Sequence, residues 1–486
     1  MAADLPSYTS YTDSGNTSRA PSTYSVISSD PSSYVIADET KPLLQPALRP
    51  ESGIHRTAST NNGTASPLSS VINLSNTILG TGMLAMVCIP RLPPFLVFPS
   101  AVASVGLIPG MFVIVFSGIT SALGLYFLSK AAARTEGREA SFFAVSQLTW
   151  PSAAIFFDLA IAIKCFGVGV SYMLIVGDLM PQILKTMFSP SEDLDYLLDR
   201  RIWITVFMVT IVGPLSFSRK LDSLKYTSVI ALFAVAYLCL IVVWHFVIPN
   251  FPTAPPEEIE LVHFSTKFFT SLPVFVFAFT CHQNIFSVYN EQKDNSQKKI
   301  NTVIATSIGT AIFLYEGIAV MGYLSFGKAV MGNIILEYPA SVFVTGGRIA
   351  IVILVLLSYP LQCHPCRNSL DKVLSFGSAP VDENGMKIIS PPSTSKYLAM
   401  TMGILIGTFG VAITMTKLDL VLAFVGSTGS TVISFILPSL FYLKLHEDRP
   451  WSYTKIIALL LGIYGCLVMV ICLTFNIMHV ANPPSH

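Results

Sequence analysis

The amino-acid sequence contains a series of apolar runs that are each long enough to cross a bilayer as an α-helix. A helix of about 17 to 25 apolar residues spans the hydrocarbon core of a membrane. Hydrophobic residues make up 52% of the 486 residues and charged residues only 12%, which is too apolar a balance for a soluble protein. The chain is therefore predicted to be an all-α membrane protein with eleven transmembrane helices. The runs lie near residues 68–86, 107–132, 152–187, 202–218, 222–248, 265–289, 301–326, 342–374, 397–416, 418–443 and 453–478.

The amino-terminal segment has a very different composition from the rest of the chain. Residues 1–66 are rich in Ser, Thr, Pro and Asn and contain no apolar run, which predicts a disordered tail. Residues 67–480 then form the transmembrane domain. In the tail, the stretch from Glu39 to Leu44 matches an acidic dileucine sorting pattern, so a sorting adaptor is a predicted partner.

Lysine and arginine residues concentrate in alternate loops between the apolar runs. The loop with Lys293, Lys298 and Lys299 belongs to the basic set, whereas the loop with Glu257 and Glu258 belongs to the opposite set. Basic loops stay on the cytoplasmic side of a membrane. The amino terminus is therefore predicted to be cytoplasmic and the carboxyl terminus luminal.

The first apolar run contains a candidate helix break. Polar and small residues lead into Gly80-Thr81-Gly82, after which apolar residues resume. At membrane depth, interrupted backbone is tolerated only where protein, water or a ligand satisfies its freed polar groups. The sequence therefore predicts an unwound stretch here that faces a bound polar molecule. The predicted substrate-binding residues of this stretch are Thr77, Ile78, Leu79, Gly80, Thr81 and Gly82.

A second candidate break lies in the sixth apolar run, between Phe279 and Asn284. Two broken helices in corresponding positions are typical of secondary transporters. With five spans in each half, the two halves have opposite topology, so the pattern predicts a 5+5 inverted repeat plus one extra helix. In this arrangement the ends of the half-helices point at a substrate carboxylate near the midplane. The predicted substrate-binding residues of the second break are Phe279, Thr280, Cys281 and His282.

Three stretches of the sequence resemble the amino acid/auxin permease family. They are Asn73 to Met86, Ile163 to Tyr172 together with Gly177 to Pro181, and Tyr359 to Arg367. The resemblance is closest to the fungal vacuolar amino acid transporters, and the sodium-coupled neutral amino acid transporters are more distant. It implies a LeuT-type fold with eleven helices, amino acids as substrates, and coupling to protons or sodium.

Both coupling ions have candidate residues. Asn76 matches an asparagine of the ion site in the sodium-coupled relatives, and with Gln362 it offers the oxygen ligands that sodium prefers. Asn76 fits equally well as a cap on a carbonyl group freed at the break. His282 and His364 are candidate proton carriers, because an unperturbed histidine titrates between about pH 5 and 8. Coupling to protons is the preferred prediction, and the alternative for each histidine is a purely structural hydrogen bond.

Four further charged residues lie inside the apolar runs. Asp158 and Lys164 are close together in the third run, while Glu316 and Arg348 lie in the seventh and eighth runs. Charges at membrane depth are either paired with each other or used in transport. Pairing of Asp158 with Lys164, or of Glu316 with Arg348, is the structural interpretation, and a role in transport is the alternative.

The chain lacks the motifs of an enzyme or a metal protein. Cys363 and Cys366 have the C-x-x-C spacing, but no second pair of ligands completes a zinc site. Paired intramembrane aspartates, H-E-x-x-H and G-x-S-x-G are missing from the sequence. No catalytic function, no metal, no cofactor and no nucleic acid partner is predicted.

Residues 87–98 depart from the pattern of the family. This insertion contains Pro90, Pro93 and Pro94, and a helix cannot continue through such a cluster. The second half of the predicted broken helix is therefore expected to be cut short or displaced.

These observations together predict a secondary active transporter in the vacuolar membrane. It is expected to move neutral amino acids by alternating access and to be driven by protons. Two alternatives stay open, namely an amino acid-sensing receptor on the same scaffold and a sodium-coupled transporter of another membrane.

Overall fold

The computed structural model describes most of the predicted transmembrane domain, and its described residues belong to one compact unit within Pro42–His486. The tail up to residue 62, the sorting pattern from Glu39 to Leu44 and the insertion at 87–98 lie outside the described residues. The described residues are 63–84, 105–135, 137–188, 196–218, 225–251, 253–255, 259–263, 268–327, 335, 338–339, 341–381, 387, 390, 392–415 and 418–481.

Helices make up almost all of the regular structure. Within the described residues, β pairing is limited to two isolated bridges, Ala65 with Gln292 and Val381 with Lys387, which confirms the all-α class. The α-helices are α1 (Pro67–Leu84), α2 (Leu107–Ala132), α3 (Phe142–Thr149), α4 (Ala154–Phe188), α5 (Arg200–Phe207), α6 (Gly213–Ser216), α7 (Lys225–Val247), α8 (Phe268–Ala278), α9 (Ile285–Glu291), α10 (Gln297–Phe326), α11 (Val342–Ser375), α12 (Thr394–Thr414), α13 (Leu418–Val425), α14 (Leu437–Leu445) and α15 (Tyr453–Ala481).

Two of the membrane helices contain π-helical stretches. One joins α5 to α6 at Met208–Val212, and two others, Gly426–Ser430 and Val432–Ile436, lie between α13 and α14. A π-helical turn is rare and is frequently found at functional sites. Gly426–Ser430 consists of small residues, and both stretches between α13 and α14 lie beside the broken helix formed by α8 and α9.

Nine helical segments among the described residues are long and apolar enough to cross a membrane. They coincide with nine of the eleven predicted runs. The other two runs correspond to α1, whose asparagines and serines make it more polar, and to the 200–216 segment, which is short. The count of eleven spans therefore stays a prediction.

The centre of the bundle is formed by α4, α11 and the broken helix. The apolar windows of α4 and of the Ser271–Glu291 segment are 78% and 83% buried within the protein, whereas that of α15 is only 28% buried. Glycines allow the central helices to approach each other closely, since a Cβ atom on Gly167 of α4 would lie 2.3 Å from Val425 on α13. The enclosed helices are the ones that carry the candidate site.

The second predicted break is confirmed. The α8 helix ends at Ala278, a single 3₁₀ turn follows at His282–Asn284, and α9 begins at Ile285. The helix is thus interrupted from Phe279 to Cys281, at the centre of a segment that is almost entirely enclosed by protein.

The first predicted break is wrong. The α1 helix continues without interruption from Pro67 to Leu84, so Gly80, Thr81 and Gly82 are all helical. The physical reason for the glycines is close packing, because a Cβ atom on Gly82 would lie 1.7 Å from the Tyr315 hydroxyl oxygen. A Cβ atom on Gly80 would lie 3.6 Å from the Ser358 hydroxyl oxygen, which is ordinary contact.

Candidate functional site

The break between α8 and α9 has most of its polar groups satisfied by neighbouring helices. Ser121 of α2 donates a hydrogen bond of 2.8 Å to the carbonyl oxygen of Phe279. The ring of His282 lies between two partners, with Nε2 at 3.1 Å from the carbonyl oxygen of Ser121 and Nδ1 at 3.1 Å from the Ser434 hydroxyl. A carbonyl oxygen only accepts, so Nε2 donates to Ser121, whereas the Ser434 hydroxyl is able either to donate to Nδ1 or to accept from it. His282 is therefore a fully hydrogen-bonded residue that fixes the break.

Two side chains join α1 to the broken helix. The Asn284 amide donates to the Thr77 hydroxyl oxygen at 2.8 Å. The Tyr315 hydroxyl of α10 donates to the carbonyl oxygen of Ile78 at 2.8 Å and lies 3.3 Å from the carbonyl oxygen of Ala278. The stretch of α1 that was predicted to bind substrate is thus held directly against the break, although it is helical.

A cavity of about 550 Å³ leads to this junction. Asn73 of α1, together with Gln283 and Asn284 of the 3₁₀ turn, lies among its lining residues, and His364 of α11 lines it as well. Its lining also includes Asp158 and Ile161 of α4, Ser228 of α7, Glu291 of α9, and Asn368, Ser369 and Lys372 of α11. A free amino acid fits in a cavity of this size.

The predicted substrate-binding residues lie just beyond the lining of the cavity. Thr77 is one helical turn further along α1 than Asn73, and His282 directly precedes Gln283. The described side chains of this set are at most 3% exposed to solvent. The structure therefore gathers the two predicted stretches in one place, in an enclosed region next to the cavity.

The residues predicted to bind a coupling ion fall into two places. Asn76 of α1 and Gln362 of α11 are buried, and the side-chain oxygen atoms of both lack a hydrogen-bond partner among the described residues. The Asn76 amide nitrogen donates to Ser228 at 3.0 Å. His364 is half-buried and lines the cavity, where Nδ1 lies 3.3 Å from the Asn368 amide nitrogen.

The predicted pairing of Asp158 with Lys164 is wrong. Asp158 is 1% exposed and forms its ion pair with Lys372 of α11, at 3.8 Å. Lys372 reaches Asp158 from the facing helix. The Lys164 side chain is fully buried, and its ammonium group has no hydrogen-bond partner or acidic partner in the described part of the chain.

The predicted pairing of Glu316 with Arg348 is also wrong. No ion pair joins these two described residues, both carboxylate oxygens of Glu316 lack a hydrogen-bond partner, and Nε of Arg348 lacks one as well. Each residue lies in its own helix, α10 or α11, and spacing in the sequence did not indicate whether those two positions face each other.

The C-x-x-C stretch of α11 forms helix contacts. Cys363 and Cys366 are buried free thiols, and the Cys366 thiol lies 3.4 Å from the carbonyl oxygen of Ala162 in α4. The neighbouring Arg367 donates to the carbonyl oxygen of Ser216 and stacks over the ring of Tyr397 at 4.0 Å. Within the described residues, no three His, Cys, Asp or Glu side chains are grouped so that they could hold a metal ion.

Sequence reasoning placed Gln283 within the second predicted break but missed its lack of a partner and the isolation of Lys164. Both side-chain polar atoms of Gln283 lack a partner among the described residues, and the side chain is only 7% exposed where it lines the cavity. The signal for Gln283 was its position within the predicted break. The isolation of Lys164 had no signal in the sequence, because it depends on which helix supplies the partner of Asp158.

Comparisons with known proteins agree with this architecture. Vacuolar amino acid transporter 5 of Schizosaccharomyces pombe is 45% identical over 431 residues, which cover 86% of this chain and 96% of that protein. Vacuolar amino acid transporter 6 of Saccharomyces cerevisiae is 39% identical, over 84% of this chain and 98% of that protein. Sodium-coupled neutral amino acid symporter 2 of Danio rerio is 27% identical, over 84% and 81% respectively.

The match to a family is equally extensive. Residues 63–478 match the family described as transmembrane amino acid transporter protein, and this range covers α1 to α14 and most of α15. This is a family of transporters and not of enzymes, as the sequence predicted. The chain therefore belongs to the transmembrane amino acid transporter family.

Proposed function

We propose that this protein is a proton-coupled secondary transporter that moves neutral amino acids across the vacuolar membrane by alternating access. The observation that carries the proposal is the cavity of about 550 Å³ that ends beside a broken membrane helix. Interrupted helices at the end of an aqueous cavity are the usual substrate sites of secondary transporters. The names of the yeast relatives support both amino acids as the cargo and the vacuole as the location.

The proposed architecture has eleven spans in a LeuT-type 5+5 inverted repeat with one extra helix. It adds α1 and the 200–216 segment to the nine apolar helices. The enclosed position of α1 supports this count, because a helix surrounded by protein does not need an apolar surface toward lipid. The proposed domains are a cytoplasmic tail at 1–66, with a sorting signal from Glu39 to Leu44, and a transmembrane domain at 67–480.

In the proposed orientation the amino terminus is cytoplasmic and the carboxyl terminus luminal. The cavity then opens to the cytosol, since its outer lining includes Thr64 before α1 and Glu291 at the end of α9. Hydrogen bonds hold these two segments together, with the Ala65 amide donating to the carbonyl oxygen of Glu291 at 2.9 Å. Opening and closing of this contact is the motion that alternating access requires on the cytosolic side.

The proposed substrate site lies between Thr77 to Gly82 of α1 and the break from Phe279 to His282. The hydrogen bond from Asn284 to Thr77 supports this placement, because it joins the two stretches at the inner end of the cavity. The same region is nearly inaccessible to water, which suits a site that is occluded during transport.

The proposed proton carrier is His364, with His282 as the second candidate. His364 lines the cavity and is half-buried, so it exchanges protons with the cytosol without a large rearrangement. His282 is 0% exposed and both of its ring nitrogens are engaged by Ser121 and Ser434, so it exchanges protons with the cavity less readily than His364 does.

Sodium coupling is the second candidate, and three oxygen atoms support it. The side-chain oxygens of Asn76, Ser358 and Gln362 are buried without a hydrogen-bond partner among the described residues. They belong to α1 and α11, and Ser358 is next to Gly80, one helical turn from Asn76. Sodium is a hard cation that takes oxygen ligands of this kind.

Uptake into proteoliposomes tests the proposal. The purified protein is reconstituted, and uptake of radiolabelled L-leucine and L-glutamine is measured with a pH gradient, with a sodium gradient, and with neither. The proposal predicts uptake that the pH gradient drives and a protonophore abolishes. Uptake that follows only the sodium gradient supports the sodium-coupled alternative. Binding of the amino acids without any flux supports a receptor and contradicts transport.

A further inference from the structure

A single lysine of α4 is buried without a counter-ion. Lys164 is 0% exposed, and its ammonium group has no hydrogen-bond partner among the described residues. The nearest acidic residue along the helix, Asp158, is already paired with Lys372. An unpaired charge inside a protein costs several kcal/mol or more. A charge kept in such a position at membrane depth indicates a functional partner that binds there.

Lys164 lies at the broken helix. Its ammonium group lies within electrostatic range of Cys281, the last residue before the 3₁₀ turn, and of His282, the first residue of that turn. The base of the Lys164 side chain packs on the π-helical stretch, where a Cβ atom on Gly429 would lie 2.6 Å from the Cβ atom of Lys164. Lys164 is thus enclosed between the break and a segment rich in small residues.

Two residues that line the cavity lie near Lys164 or the break in the sequence. Ile161 lines the cavity and precedes Lys164 by three residues in α4, so both lie on the same face of that helix. Gln283 lines the cavity two residues after Cys281, and both polar atoms of its side chain lack a partner in the described part of the chain. An unsatisfied amide therefore lines the cavity, and a buried lysine lies on the same helix face as another of its lining residues.

The continuous α1 helix explains why a cation is needed. In a broken first helix, freed backbone N–H groups receive the carboxylate of the substrate. Here α1 is helical from Pro67 to Leu84, so its N–H groups beyond the first turn are engaged within the helix. A substrate carboxylate at this site needs another donor, and Lys164 is the buried cation that interacts with the break.

We propose that Lys164 binds the α-carboxylate of the transported amino acid, and that Gln283 hydrogen-bonds the same ligand. This inference rests on the proposed function, and it adds a residue that determines which molecules are recognised. The carboxylate neutralises the buried ammonium group, which is a charge-assisted interaction of the strongest kind. Molecules with the same side chain and amino group but no carboxylate are then poor ligands.

Competition by amino acid amides tests the inference. L-leucinamide and L-glutaminamide keep the side chain and the amino group of the amino acid but replace the carboxylate with a neutral amide. Uptake of radiolabelled L-leucine or L-glutamine into proteoliposomes is measured while the concentration of an unlabelled competitor is increased. The competitor is either the amino acid itself or its amide, and both the wild type and Lys164→Gln are assayed. Lys185→Gln is the matched control, because Lys185 lies on the same helix but is exposed.

In Lys164→Gln we expect the preference for the amino acid over its amide to be lost. Removing one partner of a buried charge pair weakens binding by about 30-fold or more, so the KM for the amino acid rises by that factor while inhibition by the amide changes little. Lys185→Gln behaves like the wild type. An unchanged KM with full discrimination in Lys164→Gln overturns the inference, and so does a change that affects only the dependence on pH.

A thermal unfolding measurement separates this inference from the proposed function. Without ligand, Lys164→Met is expected to melt at or above the temperature of the wild type, since an uncompensated buried charge is removed. L-leucine or L-glutamine is expected to stabilise the wild type and not Lys164→Met. Stabilisation by the amino acid without any flux in the wild type contradicts transport but supports Lys164. Failure of both Lys164 variants to accumulate contradicts the role of Lys164, because it indicates a structural partner.

Discussion

The hydroxyl group of Tyr315 lies 2.8 Å from the carbonyl oxygen of Ile78 in α1 and 3.3 Å from that of Ala278 at the end of α8. One side chain of α10 therefore fixes the spacing between α1 and the helix break. The ring of Tyr315 is fully buried and packs edge-on against the ring of Phe279, with 5.2 Å between the centroids. The geometry of the candidate site depends on this contact.

Replacement of Tyr315 by phenylalanine is predicted to destabilise the protein and to lower uptake. The change removes a hydroxyl group whose loss leaves a buried carbonyl group short of a donor, which costs about 1–3 kcal/mol. The melting temperature of the purified variant and its uptake of L-leucine check this prediction. Tyr464→Phe is the control, because the buried Tyr464 hydroxyl has no hydrogen-bond partner among the described residues. Equal behaviour of the two variants contradicts the role assigned to Tyr315.

Gly82→Ala is predicted to abolish uptake. The new Cβ atom would lie 1.7 Å from the Tyr315 hydroxyl oxygen and 2.2 Å from its Cζ atom, so the ring has to leave its place between α1 and α8. Gly410→Ala in α12 meets no atom within 4 Å and should leave uptake unchanged, with a stability gain of up to about 1 kcal/mol. Uptake and membrane abundance of both variants are the measurements. Normal transport by Gly82→Ala would show that Tyr315 is free to move.

The first break was predicted wrongly because the same glycines are compatible with two different structures. A pair of glycines in an apolar helix fits an unwound stretch, and it fits equally a place where another side chain approaches closely. In this protein Gly82 provides room for the Tyr315 side chain. Tyr315 is separated from Ile78 by 237 positions in the sequence, so this contact was not visible in the local pattern. The second break was predictable, since Thr280, His282 and Asn284 put several polar groups into an apolar run with little helix-forming preference.

The predicted charge pairs were wrong for the same reason, because they also depend on contacts between different helices. Asp158 and Lys164 share one run, and a pairing within it was the simplest interpretation of the sequence. In the structure α11 packs along α4 and brings Lys372 to Asp158 instead, at 3.8 Å. The apolar runs themselves were predictable to within a few residues, because helix length and hydropathy are local properties. Contacts between helices are not local, so the structure was needed to find the partner of Asp158 and to show that Lys164 and Glu316 have none among the described residues.

His364→Gln is predicted to remove the stimulation of uptake by a pH gradient. The half-buried imidazole lines the cavity, and glutamine keeps a polar side chain there without a group that titrates near neutral pH. His282→Gln is predicted to lower stability while the remaining uptake still responds to the gradient, since Ser121 and Ser434 hold that ring in a structural role. Initial rates at a series of gradients distinguish the two variants. If only His282→Gln loses the response of uptake to the pH gradient, His282 is the proton carrier and His364 is not.

Arg367→Lys is predicted to reduce membrane abundance and the melting temperature without changing which amino acids are recognised. The guanidinium group donates to Ser216 and to the Thr401 hydroxyl, each at 3.1 Å, and stacks over Tyr397. The ammonium group of a lysine cannot form both of these hydrogen bonds and also stack on the Tyr397 ring. Competition profiles and melting curves of the purified variant check the prediction. A changed preference among amino acids at normal stability would place Arg367 in substrate recognition instead.

The position of a bound amino acid tests the central claim most directly. A cryo-electron microscopy structure of the purified protein with saturating L-leucine or L-glutamine locates the ligand. The account predicts density between Thr77 to Gly82 of α1 and Phe279 to His282, with the carboxylate about 3 Å from the Lys164 ammonium group. Density for the ligand elsewhere in the protein, with Lys164 still unpaired beside the break, would contradict it.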